Sequence, residues 1–185
     1  MYTYHWLTSS SAHEVGEVSE LLGLVSADEP YVGIPRNATA ADVAALVTQL
    51  TSNVRAGRTQ VLLIRSEAGE AVGCVALTRA VTANQRHIAN LGTGMIHPEH
   101  RGQGIVTGAL RQIAQRCDEL QVELLLLDVR EGIQAEKVWR RLGFEEYGRL
   151  QDYGRTGGES YAGVYMAQHV SNLAVLFADQ EESDA

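Results

Sequence analysis

His97-Pro-Glu-His-Arg-Gly-Gln-Gly-Ile-Val-Thr107 follows an apolar run ending in Met95-Ile96 and opens a helical pattern of Ile105, Ala109, Leu110, Ile113 and Ala114. Strand, glycine-rich turn and helix in that order make a place for an anion. Gly102 and Gly104 let the chain turn tightly and let a ligand approach the backbone closely. The N–H groups of the turn and of the helix start converge on one spot, where the helix dipole favours negative charge. Arg101 adds a guanidinium that can fork onto a phosphate. The chemistry is that of a pyrophosphate cradle. No Gly-Lys-Ser/Thr follows, and the Gly-x-Gly-x-x-Gly of a dinucleotide site with its later acidic residue is absent.

Other groups with chemical potential lie elsewhere. Asp128 ends the apolar run Val122–Leu127, where a carboxylate serves either to accept a proton or to cap the following turn. Tyr147, Tyr161 and Tyr165 alternate like strand residues, while Tyr153 and Arg155 fall in a glycine-rich stretch that reads as a loop. Cys74 sits in Val72-Gly-Cys-Val-Ala-Leu77 and reads as a small buried hydrophobe. No Cys/His spacing gives a metal site, so none is expected.

These residues need a scaffold, and periodicity supplies one. Tyr2–Leu7 reads as a strand, and Ala12–Ser26 as a helix with Val15, Val18, Leu21, Leu22 and Val25 on one face. Residues 27–38, with two prolines and a glycine, read as a loop. Thr39 caps a second helix whose buried face is Val43, Leu46, Val47, Leu50 and Val54. Thr59–Arg65 and Ala71–Thr82 form a hairpin, and His87–Ile96 is a further strand. A helix from Gly104 to Leu120, a buried strand Val122–Asp128 and a short helix Ile133–Leu142 follow. Phe144–Leu150 and Tyr161–Gln168 close the series. The expected fold is α/β (α+β), a mixed sheet with helices on both faces. One domain is expected over 1–170, with 171–185 a tail whose acidic end is disordered.

Arg101-Gly-Gln-Gly104 opening an amphipathic helix, and Arg140-Arg-Leu-Gly-Phe144 later, resemble the coenzyme A loop and helix end of the GNAT N-acetyltransferases, over roughly 12–169. Arg86–Pro98, Leu127–Glu136 and Gly148–Gly154 are similar to the tabtoxin-resistance branch, whose members acetylate an amine of a small toxin or related metabolite. The resemblance implies a splay between strands His87–Ile96 and Val122–Asp128 and acetyl-CoA as acyl donor. It implies cofactor contacts at Met95, Ile96, Arg101, Gly102, Gln103, Gly104, Ile105, Val106, Thr107 and Trp139. Val106 stands where the family commonly has a second Gly or Ala, its amide still able to donate. Asn90 stands where the family often has a Glu base, and Trp139 where it often has a tyrosine acid. Asn90 can hold a water, Asp128 can take the proton, and Tyr153 is a candidate acid. The resemblance places acceptor contacts at Asp28, Glu29, Tyr31, Tyr153 and Arg155; a solvated loop end is the other reading of Asp28 and Glu29.

The net charge of −8 argues against nucleic acid as partner and suits a small-molecule amine. No apolar run approaches the roughly 20 residues of a membrane span, and no secretory leader pattern begins the chain, so a cytoplasmic protein is expected. The function expected is acyl transfer to a primary amine of a small metabolite, antibiotic or toxin. The alternatives are a protein or peptide N-acetyltransferase, or a binding module that holds coenzyme A without transfer. Leu173–Phe177 could pack on a second copy as a homodimer or fold back on its own sheet.

Overall fold

The structure, a computed structural model, describes residues 1–7, 11–28, 38–156 and 158–183. The element order is β1 (Thr3–Trp6), α1 (Ala12–Asp28), α2 (Ala40–Arg55), β2 (Thr59–Arg65), β3 (Ala71–Arg79), β4 (Ile88–Ile96), α3 (Ile105–Leu120), β5 (Leu124–Arg130), α4 (Gln134–Arg141), β6 (Glu145–Thr156), β7 (Glu159–His169) and α5 (Val170–Ser183). The seven strands form a mixed sheet. Among the described residues no helix is long and apolar enough to cross a membrane.

The chain divides into two compact units, Met1–Thr78 with Leu91–Ala109, and Arg79–Asn90 with Leu110–Ala185. In the first, β1 lies antiparallel to β2 with Trp6 opposite Leu62, and β2 antiparallel to β3 with Leu63 opposite Cys74. Its core joins Val18, Leu21, Leu22 and Val25 of α1 and Val47 of α2 to Val61, Leu63, Cys74, Ala76 and Met95 of the strands. The apolar stripes read from the sequence are therefore the faces that bury. The start of α2 is fixed by a capping box, in which Thr39 Oγ1 accepts from the Asp42 N–H and Asp42 Oδ2 accepts from the Thr39 N–H.

In the second unit, the first residues of β4 run parallel to β5, with Ile88 opposite Leu124 and Asn90 opposite Leu126. This parallel register is short, three residue pairs, although each strand continues past it. Antiparallel pairing takes over on the other side of β5, where β7 matches it from Leu124–His169 to Arg130–Gly163. β6 then pairs with β7 through two irregularities, one between Glu146 and Gly148 and one between Leu150 and Gly154.

One expectation needs correction. The stretch after Leu150 is not a loop: β6 runs on to Thr156, so Tyr153 and Arg155 stand on a strand. Glycine-rich sequence was the misleading signal, because Gly154 makes room for the Tyr161 ring across the sheet. In α5, Leu173 and Phe177 are buried, and Arg111 of α3 stacks 5.4 Å from the Phe177 ring centre.

Candidate functional site

The first unit carries the cradle. Gly102 and Gly104 adopt φ of +75° and +76°, a left-handed conformation that disfavours a Cβ, and nothing lies within 4 Å of where either Cβ would be. The turn is therefore both special in backbone and open in front, as a phosphate ligand requires. Residues Pro98–His100 form a single 3-10 turn whose entry is fixed by His97 Nδ1 accepting from the Glu99 N–H. Ile105 is buried and anchors the start of α3, while Val106 and Thr107 are half-buried. Val106 thus leaves the turn intact.

Support comes from Tyr2 and from Tyr4 of β1, which the sequence did not point to. Tyr2 Oη donates to Gln103 Oε1 at 2.5 Å and lies 3.0 Å from His100 Nδ1. Tyr4 Oη donates to the Ile105 carbonyl at 3.3 Å. A Cβ on Gly108 would strike the Tyr4 ring, so this helical glycine exists to admit the tyrosine. The alternation Tyr2, Tyr4, Trp6 was the available signal.

Arg101 donates from Nε to the Ile96 carbonyl at 3.3 Å and from Nη1 to Asp28 Oδ2 at 2.7 Å. Asp28 is the last residue of α1, the end at which the helix dipole disfavours a carboxylate, and Arg101 offsets that. The structure thus places Asp28, expected at the acceptor, on the cradle's arginine. Glu29 and Tyr31 lie outside the described residues.

Met95 is buried and Ile96 half-buried on β4. Two residues earlier Thr93 has φ of +48°, a costly left-handed conformation for a β-branched residue inside a strand, flanked by Gly92 and Gly94. The Thr93 carbonyl accepts from Cys74 Sγ at 3.6 Å. This left-handed step turns the neighbouring peptide planes out of the regular pleat. Burial pushes the Cys74 thiol up to about 12, which suits a core residue and not a nucleophile.

The second unit carries the residues expected to handle the proton. Asp128 lies opposite Tyr165, and Asn90 lies opposite Leu126, two residues from Asp128, so Asn90 and Asp128 share one face of the sheet. Tyr153 Oη donates to Asp128 Oδ2. Burial, reinforced by that carboxylate, raises the Tyr153 phenol well above its ordinary range. Tyr153 therefore stays protonated and can donate but not act as a base.

Four tyrosine rings form a chain beside Asp128: Tyr161 to Tyr153 at 6.0 Å, Tyr153 to Tyr165 at 6.1 Å and Tyr165 to Tyr147 at 6.2 Å. The sheet makes room for them with glycines, since a Cβ on Gly163 would strike Tyr153 and one on Gly154 would strike Tyr161. Tyr147 and Tyr153 sit in the two irregularities of β6, which re-aim their side chains. Arg130 stacks 4.3 Å from the Tyr161 ring centre. Arg155 pairs with Asp152, which also accepts from Ser160 Oγ at 2.5 Å; Arg155 and Ser160 together hold the Asp152 carboxyl down at about 2. Trp139 packs edge-to-face on Phe144 at 5.2 Å.

Glu136 is a residue the sequence reading missed. It is 8% exposed and accepts from the Gly132 N–H at 2.6 Å and from Arg140 Nε at 2.9 Å. The Gly132 N–H and Arg140 hold its carboxyl below the ordinary value. It fixes the turn between β5 and α4.

Comparison with solved structures gives the fold an independent footing. Spermidine N-acetyltransferase from Vibrio cholerae, in complex with CoA and spermine, superposes with a TM-score of 0.73 at 16% identity, over 94% of this chain and 98% of that one. A Salmonella typhimurium protein solved with its cofactor acetyl-CoA gives 0.72 at 14% identity, over 92% and 94%. Ribosomal-protein-alanine N-acetyltransferase from Brucella melitensis gives 0.70 at 22% identity, over 90% and 99%. One acts on a polyamine and another on a protein, so the shared fold leaves the acceptor open. A comparison with curated protein sequences finds no match. The model of the acetyltransferase (GNAT) family matches residues 27–144, and the chain belongs to that family of acetyltransferases.

Proposed function

We propose that this acetyltransferase moves an acetyl group directly from acetyl-CoA to a primary amine of a small molecule, both bound at once. The observation that carries the reading is the Tyr153–Asp128 hydrogen bond on the sheet face that also bears Asn90. It supplies a carboxylate and a protonated phenol in a chain whose other two acid/base positions, Asn90 and Trp139, bear an amide and an indole. The likeness to the tabtoxin-resistance branch supports a metabolite, antibiotic or toxin as the acceptor.

Arg101 and the backbone N–H groups from Gly102 to Thr107 would hold the pyrophosphate, and the backbone of Met95 and Ile96 would pair with the pantetheine amides. Bound acetyl-CoA supplies an activated thioester carbonyl and a thiol leaving group. Asp128 accepts the proton of the ammonium, directly or through a water held by Asn90. The freed nitrogen lone pair would form the C–N bond to the carbonyl carbon, the C–S bond would break with its electrons going to sulfur, and the second proton of the nitrogen would leave to the thiolate or to solvent. A backbone N–H would stabilise the charge that develops on the carbonyl oxygen. Tyr153 can return a proton to sulfur, though a thiol with an ordinary pKa of about 8.5 leaves readily as thiolate. Trp139 offers a hydrogen-bond donor only.

Thermal unfolding with and without acetyl-CoA is the first test. At about 100 times the dissociation constant the complex gains roughly 2.7 kcal/mol, a shift of roughly 5–10 °C at this size. Thiol release with an amine panel follows. A shift without turnover on any amine would favour a binding module, the reading that Asn90 and Trp139 by themselves support. No shift at any concentration overturns the proposal.

A further inference from the structure

The sheet face around Asp128 says more about the acceptor than that it is an amine. Register puts Asp128 and Arg130 of β5 on that face, with Tyr165 and Gly163 opposite them on β7, and Gly148 and Leu150 opposite those on β6. Tyr153 lies over Gly163, and Tyr147 reaches Tyr165. Two of these apolar groups stand in solvent: Tyr147 is 59% exposed and Leu150 is 47% exposed. Single exposed apolar residues need no explanation, but a contiguous set around a carboxylate is the mark of a ligand surface.

Charge narrows the ligand. Asp128 matches one ammonium, and tyrosine ring faces favour a cation beside them. Further along the same face stands Arg130, two residues on and so about 6–7 Å away, which already occupies the Tyr161 face. A second ammonium extending that way meets like charge. An α-carboxylate fares no better, since it would sit beside the reacting nitrogen and face Asp128 itself. An apolar stem meets Tyr147, Leu150, Tyr153 and Tyr165 instead.

We infer that the acceptor is a single primary ammonium on an apolar stem, an alkyl- or arylalkylamine, with its charge on Asp128 and its stem along Tyr147, Leu150 and Tyr165; this rests on the acyltransferase reading above. Matched amines test it on the full chain with saturating acetyl-CoA. Phenethylamine against phenylalanine isolates the carboxylate, and hexylamine against 1,6-diaminohexane isolates the second charge. The expected result is a kcat/KM at least about tenfold higher for phenethylamine and for hexylamine within each pair, since like charges a few ångströms apart repel by kcal/mol even when partly screened. Tyr147→Ala and Leu150→Ala should each raise the KM for hexylamine about 3–10-fold through lost apolar contact, with acetyl-CoA affinity unchanged. Reversal of either pair, or an unmoved KM in both variants, overturns the inference. If no amine turns over, calorimetric titration of hexylamine into the acetyl-CoA complex separates the two claims. Binding weakened by Leu150→Ala would keep this site and sink the transferase reading, and no binding at millimolar amine would overturn the inference.

Discussion

The cradle and the tyrosine face are built in opposite ways. The cradle is a local object: six consecutive residues, two of them glycines at positive φ, whose backbone would do the binding in the function proposed above. The tyrosine face is a product of pairing between three strands, in which glycines matter for the side chains they admit from across the sheet. One is a backbone site that tolerates varied side chains. The other is a side-chain site that tolerates little change in backbone register.

That contrast can be broken, most sharply at Asp128. Asp128→Asn should lower kcat/KM by about 10²–10³, the usual weight of a positioned base, with acetyl-CoA affinity unchanged. In the same variant Tyr153 should ionise at lower pH, read by tyrosinate absorbance, because the carboxylate is one cause of its raised value. Equal loss of acetyl-CoA affinity would merge the two regions into one.

Arg101→Ala is the complementary cut. Losing charge-assisted hydrogen bonds worth roughly 1.5–3 kcal/mol should raise the acetyl-CoA Kd about 10–100-fold, with kcat retained at saturation. A fall in kcat alone would contradict the separation of roles.

Glu136 asks how far the second unit leans on one buried carboxylate. Glu136→Gln loses hydrogen bonds made by a charged acceptor, and should cost about 1–3 kcal/mol in denaturant unfolding at neutral pH. The folded-state pKa is depressed, so this stability is present above the ordinary value of 4.5 and is lost as pH falls through the lower folded value. The gap between wild type and variant should therefore close in acid.

Tyr153→Phe should reduce kcat about 3–10-fold, the worth of one hydrogen bond, and leave acetyl-CoA binding alone. The smallest effect belongs to Asp28→Asn. Asp28 holds the guanidinium that the proposed pyrophosphate would take, so removing its charge should tighten acetyl-CoA binding by up to about fivefold, the range of an exposed ion pair. Weaker binding would make Asp28 a support for Arg101 and not its competitor.

Legibility followed the same division. Arg101-Gly-Gln-Gly104, the helix faces of α1 and α2 and the order of strands were readable because each is set by neighbours in sequence. The extension of β6 was not, since Gly154 and Gly158 look like loop residues until Tyr161 is known to lie across Gly154. The contact of Asp28 with Arg101 was not readable either, because nothing local reveals a partner 73 residues away. The Tyr153–Asp128 bond escaped for the same reason, although both residues had been singled out.

The two irregularities of β6 carry a consequence for how such an enzyme changes. Tyr147 and Tyr153 occupy positions that the ladder with β7 does not count, so replacing them spends no interstrand pairing. Under the acceptor assignment proposed above, mutations at Tyr147 would exchange one acceptor for another while the sheet keeps its register. Selection would thereby have a dial for substrate choice at Tyr147 that is nearly uncoupled from folding, and a laboratory library confined to that position should yield a high proportion of folded members.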